Sequence, residues 1–140
     1  MSLRVVVSGA AGRMGATTCD AVAGADDMEL AGRADPALET TLSDLLAGVD
    51  VVVDFTTPDA APANVRACVE AGVHAVVGTT GFDHEPLRRA AAEARVQGAS
   101  ANVLVAPNFA IGAVLMMRFA AEAARHMPEC EIVELHHDRK

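Results

Sequence analysis

The sequence predicts an α/β domain built on a doubly wound parallel sheet, and three observations carry that prediction. Apolar runs of roughly four to seven residues alternate with Ala-rich, charge-flecked stretches of roughly ten to fifteen, the rhythm of parallel strands buried on both faces and separated by helices. A glycine-rich turn stands directly after the first apolar run and opens the first helical stretch. The chain has 140 residues, 51% hydrophobic and 21% charged, which suits one domain with its own core and excludes a disordered chain.

The elements follow in order. The valine run after Arg4 marks a first strand over Leu3–Ser8, and the stretch behind the glycine turn a helix over Arg13–Ala25. A second strand is expected over Met28–Ala34 and a third over Val49–Phe55. Thr57 is placed to cap a second helix over Pro58–Ala71, with Pro58 at its first position and Gly72 at its stop. A fourth strand over Val73–Val77, a helix over Glu85–Ala94 and a fifth strand over Val103–Ala106 complete the alternation. Within Arg88–Ala101 the apolar stripe is weak, and Gly98 and Ser100 mark a surface loop after the helix. A last helix is expected over Ile111–Met127; beyond Pro128, Glu131–Leu135 alternates charged and apolar residues like a sixth strand with one wet face. The expected division is residues 1–110 as one domain, with 111–140 a linking helix and the start of something further.

Charge and composition exclude several functions. A net charge of −8, four Phe and no Trp or Tyr leave neither the basic field nor the stacking rings that nucleic acid requires. Cys19, Cys68 and Cys130 are odd in number and in no metal-ligand spacing, which fits a reducing compartment without structural zinc. No stretch reaches the roughly 18–20 apolar residues of a membrane span, and the start is unlike a signal peptide, so a cytoplasmic protein is expected.

The clearest chemical signal is Gly9-Ala10-Ala11-Gly12-Arg13-Met14-Gly15. In a strand-turn-helix setting the glycines give a tight turn, a bare backbone that pyrophosphate can approach, and close helix packing, while the helix N-terminus offers free N–H groups. The spacing is GxxGxxG rather than the commoner GxGxxG, and a turn that only closes a βα unit is the alternative. Asp35, twenty positions after Gly15, stands at the end of the second strand, where a carboxylate accepts hydrogen bonds from an adenosine ribose. A solvated loop carboxylate is its plainer reading. Arg13 is the one cation of the turn, and its fork of donors suits pyrophosphate or a 2′-phosphate.

Ligands of open α/β sheets bind outside the carboxyl ends of the strands. This chain places Phe55-Thr56-Thr57-Pro58, Gly78-Thr79-Thr80-Gly81 and Ala106-Pro107-Asn108-Phe109 at three such ends. Thr and Gly there admit a nicotinamide amide to the backbone, and Phe55 or Phe109 can wall a ring face; turn chemistry alone also explains many of these residues. The chain closes on His136-His137-Asp138-Arg139-Lys140, two imidazoles able to move protons and an ammonium able to stabilise negative charge, or else a polar tail. His74, His84 and His126 stand singly and are read as structural or solvated.

Taken together, the segments Val7–Gly15, Val53-Asp54-Phe55-Thr56, Val77–Phe82, Ala106–Gly112 and Glu134–His137 with Lys140 resemble the dihydrodipicolinate reductase family almost from end to end. The resemblance implies a Rossmann-type domain that takes NADPH or NADH and reduces a cyclic dicarboxylate to tetrahydrodipicolinate in the diaminopimelate and lysine pathway. By resemblance His136 is a proton donor or acceptor, Lys140 a second proton donor and His137 a substrate-binding residue. Cofactor contacts would fall on Gly9, Ala10, Ala11, Gly12, Arg13 and Met14, on Asp35, Phe55 and Thr56, on Gly78, Thr79 and Thr80, and on Ala106, Pro107, Asn108 and Phe109. No metal is implied.

Two departures qualify it. Family members with Glu-Arg after the second strand hold the 2′-phosphate on that Arg, whereas here the pair is Asp35-Pro36; with Arg13 as a substitute, dual use of NADH and NADPH is expected. The family's chain also continues past the position of Lys140 into a substrate-binding, tetramer-forming domain, so the expectation here is a cofactor half with the start of a truncated second domain, inactive alone. A non-catalytic dinucleotide sensor or interaction module is the alternative, for which the histidines and Lys140 would be dispensable.

Overall fold

The computed structural model describes residues 2–96, 98, 100–127, 129–133 and 135. The chain divides into two compact units, Met1–Pro107 and Asn108–Lys140. The first carries β1 (Leu3–Ser8), α1 (Arg13–Ala23), β2 (Met28–Ala34), β3 (Val51–Asp54), α2 (Ala61–Glu70), β4 (His74–Val77), α3 (Glu85–Val96) and β5 (Val103–Val105). All strand pairs are parallel, in the order β2-β1-β3-β4-β5. The chain leaves β1 toward β2 through α1 and returns past it to β3, so the topological switch point lies between β1 and β3, where such sheets open their binding crevice.

Side-chain alternation along β1 builds the two faces. Val7 packs with Cys19 of α1 and Ala10, while Val6 turns the other way, into a larger cluster with Val52, Val65, Cys68, Val69, Val77 and Leu87. Helix α1 therefore covers one face and α2 with α3 the other, the doubly wound arrangement. Between β2 and β3 the crossing uses only two 3-10 turns, Pro36–Leu38 and Ser43–Leu45.

Expected and observed elements agree in type and order through Ala123, with β1 and β2 matching at both ends. The start of α2 differs. Its N-cap is Ala60, without a side-chain bond, and Thr57 contributes its carbonyl rather than its hydroxyl, accepting the N–H groups of Ala60 and Ala61 at 3.0 Å each. The cause is Pro62: had the helix begun at Pro58, this second proline would stand past the first turn, without an N–H and against the preceding carbonyl. At the other end Gly72 stops α2 as expected, at φ 73°, with its N–H on the Val69 carbonyl and that of Val73 on Cys68.

Cys19 and Cys68 are buried and Cys130 is exposed. Burial, aided by the Asp54 carboxylate, pushes the Cys68 thiol up to about 12 from an ordinary 9.0. The neutral thiol is the form the fold favours, so this contribution to stability is complete below pH 9.0 and is lost as pH rises toward about 12. Under native conditions at neutral pH, N-ethylmaleimide is expected to modify Cys130 first and Cys68 only on unfolding, since the thiolate is the reactive form. Mass spectrometry of labelled peptides reads this, and rapid native labelling of Cys68 would contradict it.

The second unit carries α4 (Ile111–Ala123), an apolar helix with no buried residue, whose Ile111 and Phe119 are 74% and 68% exposed. Of the segment expected as a sixth strand, residues 131–133 and 135 lie outside any strand, and Val133 and Leu135 are exposed. Alternation makes a half-wet strand only where a neighbour takes the backbone hydrogen bonds.

Candidate functional site

The β1–α1 turn sits at the switch point, and its glycines divide the work. Gly9, at φ 76°, lies so close to the carboxyl end of β3 that a Cβ would stand 2.5 Å from the Phe55 carbonyl oxygen. A Cβ on Gly15 would overlap the Gly9 carbonyl outright. Both are buried, and together they draw β1, β3 and α1 into contact that only glycine permits. Gly12 is exposed instead, at φ −72° and ψ 163°, and a Cβ there would meet only the Gly9 oxygen, at 3.2 Å. It caps α1 without a side-chain hydrogen bond, and no acidic residue occupies the first turn. The opening N–H groups of α1 thus stand at an exposed end of the helix with no acidic side chain of its first turn to accept them.

Asp35 holds this turn from the side. Its Oδ2 accepts the Ala11 N–H at 3.0 Å and its Oδ1 the Ala37 N–H at 2.9 Å. One carboxylate therefore anchors the glycine turn to the end of β2, and each oxygen keeps a further lone pair. This is neither a free ribose acceptor nor a merely solvated loop residue. Arg13 opens α1, exposed and without an ion pair among the described residues.

Behind the turn lies a feature that the sequence reading did not assign. Asp54, at the last position of β3, is 1% exposed and forms no ion pair among the described residues. Neutral groups hold it: Oδ1 accepts the Thr56 N–H at 3.1 Å and the Thr56 hydroxyl at 2.7 Å, and Oδ2 accepts the Asn64 amide at 2.8 Å. The Thr79 hydroxyl lies 3.3 Å from Asp54 Oδ1 and 3.1 Å from the Thr56 carbonyl, sharing one proton between them. Asn64 also reaches Ser8 Oγ, at 3.3 Å. The network ties together the carboxyl ends of β1, β3 and β4 and the face of α2. The available signal was a lone carboxylate ending the run Val51-Val52-Val53, because a charge on a strand buried on both sides requires partners.

Of the expected site residues, Gly9 to Met14, Asp35, Phe55, Thr56, Gly78, Thr79 and Thr80 all stand at the carboxyl ends of β1 to β4. The buried Thr79 turns its hydroxyl inward, so what it offers a ligand is backbone. Ala106 and Pro107 follow β5, while Asn108 and Phe109 belong to the second unit, where the Asn108 amide lies 3.7 Å from Met117 Sδ. His136, His137 and Lys140 lie outside the described residues. His74 serves structure, its Nδ1 accepting the Asn102 N–H at 2.9 Å. No cluster able to hold a metal occurs among the described residues, nor is any helix there long and apolar enough to cross a membrane.

A cleft of about 460 Å³ opens between the loop after β2 and the start of α2, lined by Gly9, Asp35, Glu39, Thr56 and Asn64 among others. The family model described as dihydrodipicolinate reductase, N-terminus, matches residues 3–109. The chain belongs to the dihydrodipicolinate reductase family. It is 52% identical over its whole length to the 4-hydroxy-tetrahydrodipicolinate reductase of Beutenbergia cavernae, and 50% identical to that of Nocardia farcinica. In each case it spans 56% of the relative's length. Among solved structures, the dipicolinate-bound dihydrodipicolinate reductase of Paenisporosarcina sp. TG-14 superimposes with a TM-score of 0.79 at 34% identity, covering 100% of this chain and 60% of that one. The WlbA dehydrogenase of Bordetella pertussis, solved with NADH and UDP-GlcNAcA, shares the fold at a TM-score of 0.67 and 23% identity, over 89% of this chain and 43% of that one. The family's fold is thus the Rossmann-type α/β sheet of an oxidoreductase.

Proposed function

We propose that this chain supplies the nicotinamide-dinucleotide site of a 4-hydroxy-tetrahydrodipicolinate reductase, taking NADH or NADPH for the reductive step toward tetrahydrodipicolinate in lysine and diaminopimelate synthesis. The observation that carries this reading is the uncapped N-terminus of α1 behind a turn whose Gly9 and Gly15 admit no Cβ, in a chain of this family. Pyrophosphate oxygens would take the N–H groups that open α1, with Gly12 leaving them room and Arg13 adding charge. Asp35 would accept the adenosine ribose hydroxyls on its remaining lone pairs, and the backbone of Gly78 to Thr80 and of Ala106 to Phe109 would meet the nicotinamide end. When bound, the nicotinamide supplies a hydride.

By family resemblance His136 and Lys140 would handle the proton and His137 the dicarboxylate substrate, in a homotetramer formed through the length of the relatives that this chain does not span. Domain roles follow the same reading: residues 1–110 bind the dinucleotide, and 111–140 link to substrate binding. Calorimetric titration of the chain with NADH and NADPH tests the proposal. Micromolar binding of at least one is expected, with negligible turnover of the tetrahydrodipicolinate precursor by the 140 residues alone. A chain folded by circular dichroism that binds neither dinucleotide would overturn it.

A further inference from the structure

The loop that leaves β4 is anchored by a hydroxyl rather than by its own backbone. The Gly78 N–H still belongs to the sheet and donates to the Asp54 carbonyl at 2.9 Å. Beyond it the Thr79 hydroxyl takes over, 3.3 Å from Asp54 Oδ1 and 3.1 Å from the Thr56 carbonyl. The backbone N–H groups of Thr79, Thr80 and Gly81 form no hydrogen bond among the described residues. Thr79 is 7% exposed, whereas Thr80 and Gly81 are open to solvent. The acceptor is itself fixed without Thr79, because the Thr56 N–H and hydroxyl hold Oδ1 and the Asn64 amide holds Oδ2. A valine would fill the same buried space and ask for no partner. A hydroxyl aimed at a carboxylate 25 positions away does what valine cannot: it holds the loop while its backbone donors stay unspent.

We infer that Asp54 is a positioning residue for the nicotinamide end of the dinucleotide: through the Thr79 hydroxyl it fixes the loop after β4 and leaves that loop's N–H groups to the nicotinamide carboxamide. The inference rests on the function proposed above and deepens it. A carboxamide oxygen needs a donor at a set place, and a loop tied down through its own N–H groups would have none to give. Placement matters for the ring that carries the hydride, since a displacement of about 1 Å costs on the order of a hundredfold in rate. The adenosine and pyrophosphate ends depend on other parts, the glycine turn and Asp35, which the Thr79 hydroxyl does not touch. Asp54 therefore acts on one end of the ligand through Thr79, without touching the ligand itself.

The test is calorimetry with two ligands, NADH and ADP-ribose, the second carrying the same adenosine and pyrophosphate without the nicotinamide. The unmodified chain is expected to bind NADH about tenfold more tightly than ADP-ribose. Thr79→Val, which keeps the shape of the side chain and removes its hydroxyl, is expected to weaken NADH about tenfold and ADP-ribose by less than about twofold. Thr79→Ser keeps the hydroxyl and should hold NADH within about threefold of the unmodified chain. Asp54→Asn should move the two ligands as Thr79→Val does, because one carbonyl oxygen cannot serve Thr56, Asn64 and Thr79 together. Equal weakening of both ligands would make the network a structural tie alone, and NADH binding unmoved in Thr79→Val would show the loop held by other means. Either result overturns the inference and leaves the dinucleotide site standing, as would NADH binding no tighter than ADP-ribose in the unmodified chain. Failure of a folded chain to bind either ligand would overturn the proposed function as well. Should Thr79→Val not fold, Thr79→Ala removes the same hydroxyl, leaves room for water and must show the same split between the ligands.

Discussion

Gly15→Ala is expected to lower the melting temperature of the chain by roughly 10 °C or more and to abolish dinucleotide binding with it. The added methyl would overlap the Gly9 carbonyl and crowd the Ala10 Cα, both backbone atoms that cannot swing aside as a side-chain tip would. Relief requires α1 to move off the sheet, which opens the cluster of Val7, Ala10 and Cys19. Overpacking of this kind costs about 1–3 kcal/mol and sometimes more. Gly12→Ala separates the two functions of the turn: its φ and ψ suit alanine and a Cβ would meet only the Gly9 oxygen, at 3.2 Å, so melting should change by only a few degrees. Binding should still weaken about tenfold, because the methyl stands where phosphate must approach. Thermal melts and titrations of the two variants read both effects. Equal melting temperatures for Gly15→Ala and the unmodified chain would refute the packing argument.

Asp54→Ala is expected to destabilise the fold by about 2–4 kcal/mol, because the loss is of acceptors that the surrounding donors cannot replace. The Asn64 amide and the Thr56 N–H and hydroxyl would lose their short bonds at a position only 1% exposed. Asp54→Asn should be milder: its carbonyl oxygen can serve Thr56 or Asn64, but its own NH2 must then face a donor. Denaturant unfolding of the two variants checks the order, and a stability unchanged in Asp54→Ala would show that the network holds nothing together. The substitution should also weaken dinucleotide binding, since the β3 end held by Asp54 is the surface against which Gly9 packs.

How far the sequence reached is clearest residue by residue. The bounds of β1 and β2 were readable because their ends coincide with turn signals, the glycines after Ser8 and Asp35-Pro36 after Ala34. The start of α2 was misread because Thr57-Pro58 is a good local start, while Pro62, four residues on, forbids the helix that start would make. Residues 131–133 and 135 lie outside any strand although their segment alternates, because alternation reports which side of a segment is apolar but not whether a neighbour exists. At the site, the glycine turn and Asp35 announced themselves through spacing, whereas the bond from Ala11 to Asp35 spans 24 positions and leaves no local trace. The Asp54 network gathers Ser8, Thr56, Asn64 and Thr79, which only the folded sheet brings together.

The sequence by itself thus determined the kind of elements, their order and the place of the glycine turn, because hydrophobic period, glycine and proline act within a few residues along the chain. Tertiary structure alone decided which glycines pack and which leaves room, and which neutral donors gather around the buried Asp54. Those are properties of distances between backbones remote in sequence, set when β1, β2 and β3 come together side by side. A pattern read along one chain carries no information on such distances.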